Sequence, residues 1–317
     1  MKENILIDKI IERALLEDIG TGDITSESII PSNLKAKGII KSSEEGVVAG
    51  LDVACLVFQK LDSEIIFQKK IKDGTKVTRG KVLAEIIGPA RTILKGERVA
   101  LNFLQRISGI ATVTSKFCQE VKDFPVRILD TRKTTPGLRI LEKYAVRMGG
   151  GYNHRFGLYD AVLIKDNHIA VAGGIKSAVN SVRKQISHMT KIEVEVENLS
   201  QLQEALEMEV DIMLLDNMDL ETMKEAIKIV KGKVLIEASG GITLDNVREI
   251  AQTGVDLISI GCLTHSVKSL DISMEILNKL VSCILQLKLI FILTTIHYSL
   301  TTNLLIHLIN HPQSLQG

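Results

Sequence analysis

The chain has 317 residues and a formal net charge of +1, with no tryptophan and only 3% aromatic residues. This length is enough for two modest domains or for one barrel with an extension. The near-neutral charge and the scarcity of aromatic residues argue against nucleic-acid binding. Cys55, Cys118, Cys262 and Cys283 show no C-x-x-C spacing, so we expect reduced thiols in a cytoplasmic protein rather than zinc or disulfide sites.

Residues 1–111 predict a small α+β domain with an antiparallel sheet. Apolar residues recur at helical spacing over 7–15, and the acids among them distinguish this amphipathic helix from a signal peptide. A turn-rich loop is expected at 21–31, and short strand-like runs follow it. Two further helices are predicted in this domain, at Leu51–Leu61 and Ile93–Ser108.

Residues 112–279 predict an incomplete parallel (β/α) barrel of about six to seven strands, because strands and helices alternate there. The candidate strands are Arg127–Thr131, Ala161–Lys165, Lys191–Glu197, Asp211–Asp216, Lys233–Ala238 and Asp256–Ile260. The candidate helices are Leu138–Met148, Ile175–Gln185, Leu199–Glu207, Leu220–Val230 and Leu244–Thr253. In a barrel, the carboxyl ends of the strands meet at one mouth, where catalytic residues lie.

Charged residues and glycines follow these strands. Cations at two strand ends suit a small polyanion, and glycine loops after the last strands can hold a phosphate through backbone N–H groups. We expect the glycine run at 149–151 to let the backbone approach a ligand. The strand-end residues are Arg132, Lys133, Lys165, Glu195, Glu197, Asp216, Ser239, Gly240, Gly241 and Gly261.

Three glutamates alternate with valines in one predicted strand. Glu193, Glu195 and Glu197 therefore share a face. In a barrel strand covered by helices that face points inward, where a carboxylate needs a partner or a metal ion.

Residues 280–317 form an atypical apolar tail with no Asp, Glu, Lys or Arg after Lys288. About 20 apolar residues suffice to cross a bilayer. His297, Asn303 and His307 interrupt this segment, however, and basic anchors are missing beyond Lys288. We therefore favour an appendage over a membrane anchor. A helix is expected just before it, around Ser269–Lys279.

The stretch Ile128–Ile169 carries the most specific pattern. Its segments DTRKTTPGLR, KYAVRMGGGYNHRFGL and LIKDNHI resemble the signature of the quinolinate phosphoribosyltransferase family. The resemblance runs from about Leu6 to about Ile276. It implies transfer of a phosphoribosyl group from phosphoribosyl pyrophosphate to quinolinate, with release of pyrophosphate and CO2, in NAD biosynthesis. It also implies a homodimer or hexamer with shared active sites, and a barrel with fewer than eight strands.

The resemblance also implies a role for each site residue. Quinolinate would be held by Arg132, His154, Arg155 and Lys165, and by Arg98 from another subunit. Lys133 and Lys165 would face the pyrophosphoryl donor, and its 5′-phosphate would lie against Ser239, Gly240, Gly241 and Gly261. Lys133, Glu195 and Asp216 would be catalytic. Glu195 and Asp216 would stabilise positive charge on the ribose and bind Mg²⁺, which prefers oxygen ligands.

Two other interpretations stay open. A related transferase could act on another carboxylate, such as nicotinate, although Arg132, His154 and Arg155 together favour a diacid. A non-catalytic anion-binding sensor could keep the same fold, but it would not need the ribose-side carboxylates. A G-x-x-x-x-G-K-[ST] loop is absent from the sequence, which argues against an ATPase.

Overall fold

The computed structural model describes residues 5–277. The predictions made for the tail at 280–317 lie outside these residues. Helices α1 to α11 are Ile5–Ile19, Ile24–Ile29, Leu51–Leu61, Ala90–Glu120, Arg139–Met148, Asp166–Ala172, Ile175–Arg183, Leu199–Glu207, Leu220–Val230, Val247–Gln252 and Cys262–His265. Strands β1 to β12 are Lys35–Ser42, Gly46–Val47, Ile66–Lys69, Lys76–Val77, Val82–Pro89, Arg127–Leu129, Val162–Ile164, Ile192–Val196, Ile212–Asp216, Leu235–Ser239, Leu257–Ser259 and Ile272–Leu277.

The predicted α+β domain is present, and its main sheet has the order β12-β1-β5-β3 with antiparallel pairing throughout. Along β1, buried residues such as Ile40 alternate with more accessible ones, as expected for a sheet with one covered face. Helix α4 packs against β1, β5 and α3, and its buried residues, including Ile93 and Leu104, join this core.

The helix predicted at Ser269–Lys279 is wrong, because part of this segment forms an edge strand of the sheet. Residues 272–277 form β12 instead, which pairs with β1 from Ser42↔Ile272 to Lys37↔Leu277. The segment also alternates Ile272, Met274 and Ile276, and such a pattern fits a strand when an unpaired edge is available. The chain thus returns from the barrel to complete the first domain's sheet.

Two boundaries in the first domain also differ from prediction. The loop expected at 21–31 contains α2, because the Asp23 side chain accepts a hydrogen bond from the Ser26 N–H at 2.9 Å and caps the helix. Helix α4 continues to Glu120 rather than ending at Ser108. Its hydroxyl groups do not break it, because Thr112 Oγ1 donates to the Ser108 carbonyl oxygen at 2.7 Å within the helix.

All six predicted barrel strands are confirmed, in the order β6-β11-β10-β9-β8-β7 with parallel pairing. The first strand, β6, pairs with the last, β11. Beyond β6 on its other side lies a single bridge from Leu129 to Tyr152, and within residues 5–277 no ladder joins β6 to β7. The barrel is therefore incomplete, as predicted. None of the helices described at 5–277 has the length and hydropathy needed to cross a membrane.

Candidate active site

A cavity of about 630 Å³ opens at the carboxyl ends of the six barrel strands. Its size is typical of small-molecule sites, which occupy about 300–1,000 Å³. Arg98 is not part of it, because this residue is exposed on α4. The other predicted site residues all line the cavity: Arg132, Lys133, His154, Arg155, Lys165, Glu195, Asp216, Ser239, Gly240, Gly241 and Gly261.

Arg155 is the most enclosed arginine of the cavity. Its Nη1 donates to the Ala161 carbonyl oxygen at 3.2 Å, while its Nε is buried with no hydrogen-bond partner among the described residues. Burial, together with the positive charge of Arg132, lowers the pKa of Arg155. A partly desolvated guanidinium with a spare donor is well suited to bind a carboxylate.

Lys133 is held between the loops that follow β6 and β11. Its carbonyl oxygen accepts from Thr264 Oγ1 at 2.8 Å, and its side chain packs so closely on Gly261 that an added Cβ would lie 3.0 Å from Lys133 Cδ. Arg106 joins the same two loops, because its Nη2 donates to Thr135 Oγ1 and to the Thr264 carbonyl oxygen. These contacts hold the Lys133 cation beside the glycine at the end of β11.

The loops after β9 and β10 pack closely against each other. Asn217 adopts a left-handed conformation, with φ of 53°, which asparagine tolerates better than most residues. Its N–H donates to the Ser239 carbonyl oxygen at 2.9 Å. Gly240 has φ of +98°, and a Cβ there would overlap the Asn217 side-chain amide. Glycine is therefore required at 240, and the backbone of 239–241 stays open to the cavity.

Acidic groups form the opposite wall and the floor. Glu195 accepts from Lys165 Nζ at 2.7 Å, and Asp216 accepts from Asn217 Nδ2 at 2.9 Å. Deeper in the barrel, His154 Nε2 lies 3.0 Å from Glu193 Oε2 and 3.7 Å from Glu237 Oε1. We call His154, Glu193 and Glu237 the floor cluster.

Two residues of the floor cluster, Glu237 and His154, have raised pKa values. Burial raises the pKa of Glu237 to about 8, and the negative charge of Glu193 adds to this effect. Burial alone would lower the pKa of His154, but the hydrogen bond with Glu193 and the charge of Glu237 outweigh it, so this pKa is raised. A proton on Nδ1 would have to displace the Arg155 N–H, which donates to that atom at 2.7 Å. The geometry therefore favours a proton on Nε2, facing Glu193.

A buried ion pair supports the floor cluster from behind. Lys143 and Asp130 are fully buried and paired. Asp130 Oδ1 accepts from the His154 N–H at 2.9 Å, and Lys143 Nζ donates to the His154 carbonyl oxygen at 3.0 Å. Because both partners bond to the His154 backbone, the ion pair fixes the position of this residue in the cavity.

Two sequence-based expectations are wrong. Glu197 lies past the end of β8 and is exposed, so only Glu193 and Glu195 face inward. The glycine run at 149–151 does not line the cavity. It allows close packing on α4, because a Cβ on Gly151 would lie 2.8 Å from Thr114 Cγ2.

The structure also adds cavity residues that the sequence analysis did not single out, notably Glu237, Ser259 and His265. The alternation rule that turned Glu193 inward also identifies Glu237, because Ile236 and Ala238 beside it are core residues. His265 follows Gly261 within the loop predicted to bind phosphate.

Comparison with known proteins agrees with this geometry. Residues 110–275 match the family model described as quinolinate phosphoribosyl transferase, C-terminal domain, and residues 23–108 match that of the N-terminal domain. A Bacillus subtilis protein named probable nicotinate-nucleotide pyrophosphorylase (carboxylating) is 48% identical over 273 residues, covering 86% of this chain and 94% of that protein.

Solved structures give the same result. The crystal structure of NadC from Streptococcus pyogenes is 45% identical, with a TM-score of 0.83, over 85% of this chain and 95% of that one. Nicotinate-nucleotide pyrophosphorylase from Ehrlichia chaffeensis is 44% identical, also with a TM-score of 0.83, over 87% of this chain and 100% of that one. The fold, the cavity and these similarities together show that the chain belongs to the quinolinate phosphoribosyltransferase family.

Proposed function

We propose that this chain transfers the phosphoribosyl group of phosphoribosyl pyrophosphate to the ring nitrogen of quinolinate. The products are nicotinate mononucleotide, pyrophosphate and CO2, as a step of NAD biosynthesis. The observation that carries the proposal is a single cavity with cations at two strand ends, carboxylates on the neighbouring strands and glycine loops beyond them. Similarity to proteins named nicotinate-nucleotide pyrophosphorylase (carboxylating) supports it.

Quinolinate carries two adjacent carboxylates, and the cationic side of the cavity suits such a diacid. Arg132, Arg155 and Lys165 provide the positive charge, and a guanidinium binds a carboxylate through two parallel hydrogen bonds. The unpartnered Arg155 Nε gives one such donor. His154 is already engaged by Glu193 and by the Arg155 N–H, so we propose that it shapes the pocket as well as touching the substrate.

The phosphate groups of the donor would lie on the glycine side. Gly241 has an open flank, because an added Cβ would meet nothing within 4 Å, and backbone N–H groups in such loops bind phosphate. Lys133, packed against Gly261, would bind the pyrophosphate. Two polyanions can then share one cavity because cations separate them.

Departure of pyrophosphate leaves positive charge on the ribose, and Glu195 and Asp216 would stabilise it. Both line the cavity and supply the hard oxygen atoms that Mg²⁺ prefers. They would hold this ion, which supplies charge neutralisation for the pyrophosphate. Once the ring nitrogen is glycosylated, its positive charge stabilises the electron pair left on the adjacent carbon when the carboxylate departs as CO2, so decarboxylation needs no organic cofactor.

We propose further that Arg98 completes the site of a partner subunit in a homodimer or a larger assembly. Its exposure on α4, away from the cavity of its own chain, supports this placement. Mixing inactive Arg98→Ala and Lys133→Ala subunits should restore part of the activity. Failure to recover activity while mixed dimers form would contradict a shared site.

The predicted cytoplasmic location stays a prediction.

One assay separates the candidate functions. Purified full-length protein is incubated with labelled phosphoribosyl pyrophosphate, Mg²⁺, and either quinolinate or nicotinate. We expect nicotinate mononucleotide and CO2 from quinolinate only. Turnover of nicotinate would instead indicate a related transferase, and quinolinate binding without any product would indicate an anion sensor.

A further inference from the structure

The floor cluster contains two buried acids, Glu193 and Glu237, that have no role in the mechanism proposed above for Glu195 and Asp216. Glu237 is 1% exposed and Glu193 is 4% exposed. One oxygen of each, Glu193 Oε1 and Glu237 Oε1, is buried without a hydrogen-bond partner among residues 5–277. His154 and Glu237 border the cavity directly. An unpaired carboxylate oxygen at such depth is costly unless it carries or shares a proton.

The surroundings of Glu237 favour a neutral carboxyl group. On β8 the titratable neighbour is Glu193, and from the loop after α5 it is His154. In the ladders, Glu237 is paired with Leu214 of β9 and Leu257 of β11, which carry no charge. Ser259 on β11 gives one hydrogen bond that favours the charged form, but burial and the Glu193 charge prevail.

A divalent cation fits this place less well than a proton. One nitrogen or oxygen atom from each of His154, Glu193 and Glu237 lies within 4.8 Å of the others. This spacing could serve either a metal ion or a shared proton. However, Lys143 and Arg155 lie close enough to act electrostatically on His154 and Glu193. Positive side chains beside the cluster disfavour a further divalent charge.

We propose that Glu237 is the general acid that protonates the pyridine ring when the carboxylate leaves as CO2. This inference rests on the proposed function. It identifies the source of the proton that the decarboxylation consumes. His154 and Glu193 are positioning residues in this scheme, because His154 lies 3.7 Å from Glu237 and is itself held by Glu193 at 3.0 Å.

The bond between ring carbon 2 and its carboxylate breaks heterolytically, and CO2 departs. The electron pair stays on carbon 2, next to the positively charged ring nitrogen. The Glu237 carboxyl proton then bonds to carbon 2, and the carboxylate that remains is reprotonated from solvent after product release. A neutral carboxylic acid beside an anion-binding cavity is matched to this task, because the acid must be protonated at working pH.

The test compares Glu237→Gln with the wild type in single turnovers that follow pyrophosphate and CO2 separately. Glutamine keeps the shape and a hydrogen-bond donor but is no acid. We expect CO2 release to fall about 10²-fold or more, the size typical of a positioned acid, while pyrophosphate release falls much less and the quinolinate KM stays similar. Equal losses of both products, or a wild-type rate, would overturn the proposal.

The pH profile gives a second, independent readout. Activity of the wild type should decline in the alkaline range as Glu237 loses its proton, and Glu237→Gln should lack this decline. Ser259→Ala removes the hydrogen bond that favours the charged form, so its decline should move to higher pH. A Ser259→Ala profile that stays in place or moves to lower pH would refute the assignment. Failure of the proposed function is distinct from this, because the wild type itself would then release no CO2.

Discussion

Lys165 Nζ and Glu195 Oε2 form an ion pair 2.7 Å long inside the candidate active site. Lys165 is predicted to bind the anionic substrates, and Glu195 is predicted to stabilise positive charge on the ribose. In the free protein the two charges therefore neutralise each other. The Lys165 side chain is 45% exposed, whereas that of Glu195 is only 9% exposed, so water screens the pair from one side only. A carboxylate or phosphate bound to Lys165 would therefore compete with Glu195, and the buried Glu195 carboxylate would then need another positive partner, such as the ribose in the transition state.

The first prediction concerns the ribose-side acids. Glu195→Gln and Asp216→Asn should each lower kcat, because they remove negative charge where the transition state is positive. Such contributions reach about 2.7–4 kcal/mol, or about 10²–10³-fold in rate. Quinolinate affinity, measured by calorimetry, should stay close to that of the wild type. Glu197→Gln is the matched control, because Glu197 follows the same strand but is exposed.

The second prediction concerns recognition of the diacid. Arg155→Ala should raise the quinolinate KM, because loss of a hydrogen bond to a charged group costs about 1.5–3 kcal/mol. Steady-state kinetics with quinolinate and nicotinate measure this directly. The matched control is Arg147→Ala, which removes an exposed arginine of α5 that does not line the cavity. Equal loss in both variants, or efficient use of nicotinate by the wild type, would contradict the assignment.

The third prediction compares two adjacent glycines. Gly240→Ala should strongly reduce both stability and activity, because the new Cβ would overlap the Asn217 amide. Gly241→Ala meets no neighbour within 4 Å, so its cost should be the backbone strain of about 1–2 kcal/mol and a higher KM for phosphoribosyl pyrophosphate. Thermal unfolding and initial rates separate the two effects. Similar unfolding temperatures for both variants would show that the Asn217 contact is unimportant.

The fourth prediction concerns the C-terminal end. Truncation after Lys279 should keep folding and activity, since none of the proposed site residues lies past His265. Truncation after Asp271 should destabilise the protein, because it removes β12 and exposes the edge of β1. Circular dichroism with thermal melting compares the two. If the longer truncation product fails to fold, the tail belongs to the core. If the full-length protein binds membranes in cells and the protein truncated after Lys279 does not, the tail would be a membrane anchor.

Much of the fold follows from local sequence patterns. Most of the predicted barrel strands are short apolar runs, and a charged residue, a serine or a glycine at or near the end of each strand lines one cavity. Period-two alternation correctly predicted that Glu193 and Glu195 face the barrel interior, because a strand has only two faces. It failed for Glu197, since the strand ends at Val196 and the alternation of faces does not continue past the end of a strand.

Only the tertiary structure decided the features that depend on partners distant in sequence. The segment 272–277 has both helical and strand spacing, and it became a strand because β1 offered an unpaired edge. The glycines at 149–151 proved to serve packing on α4. The floor cluster joins His154, Glu193 and Glu237 from three separate segments. The pKa of Glu237 is raised by burial and by the charge of Glu193, and the pKa of His154 is raised by its two acidic neighbours against the effect of burial. These surroundings exist only once the barrel has formed.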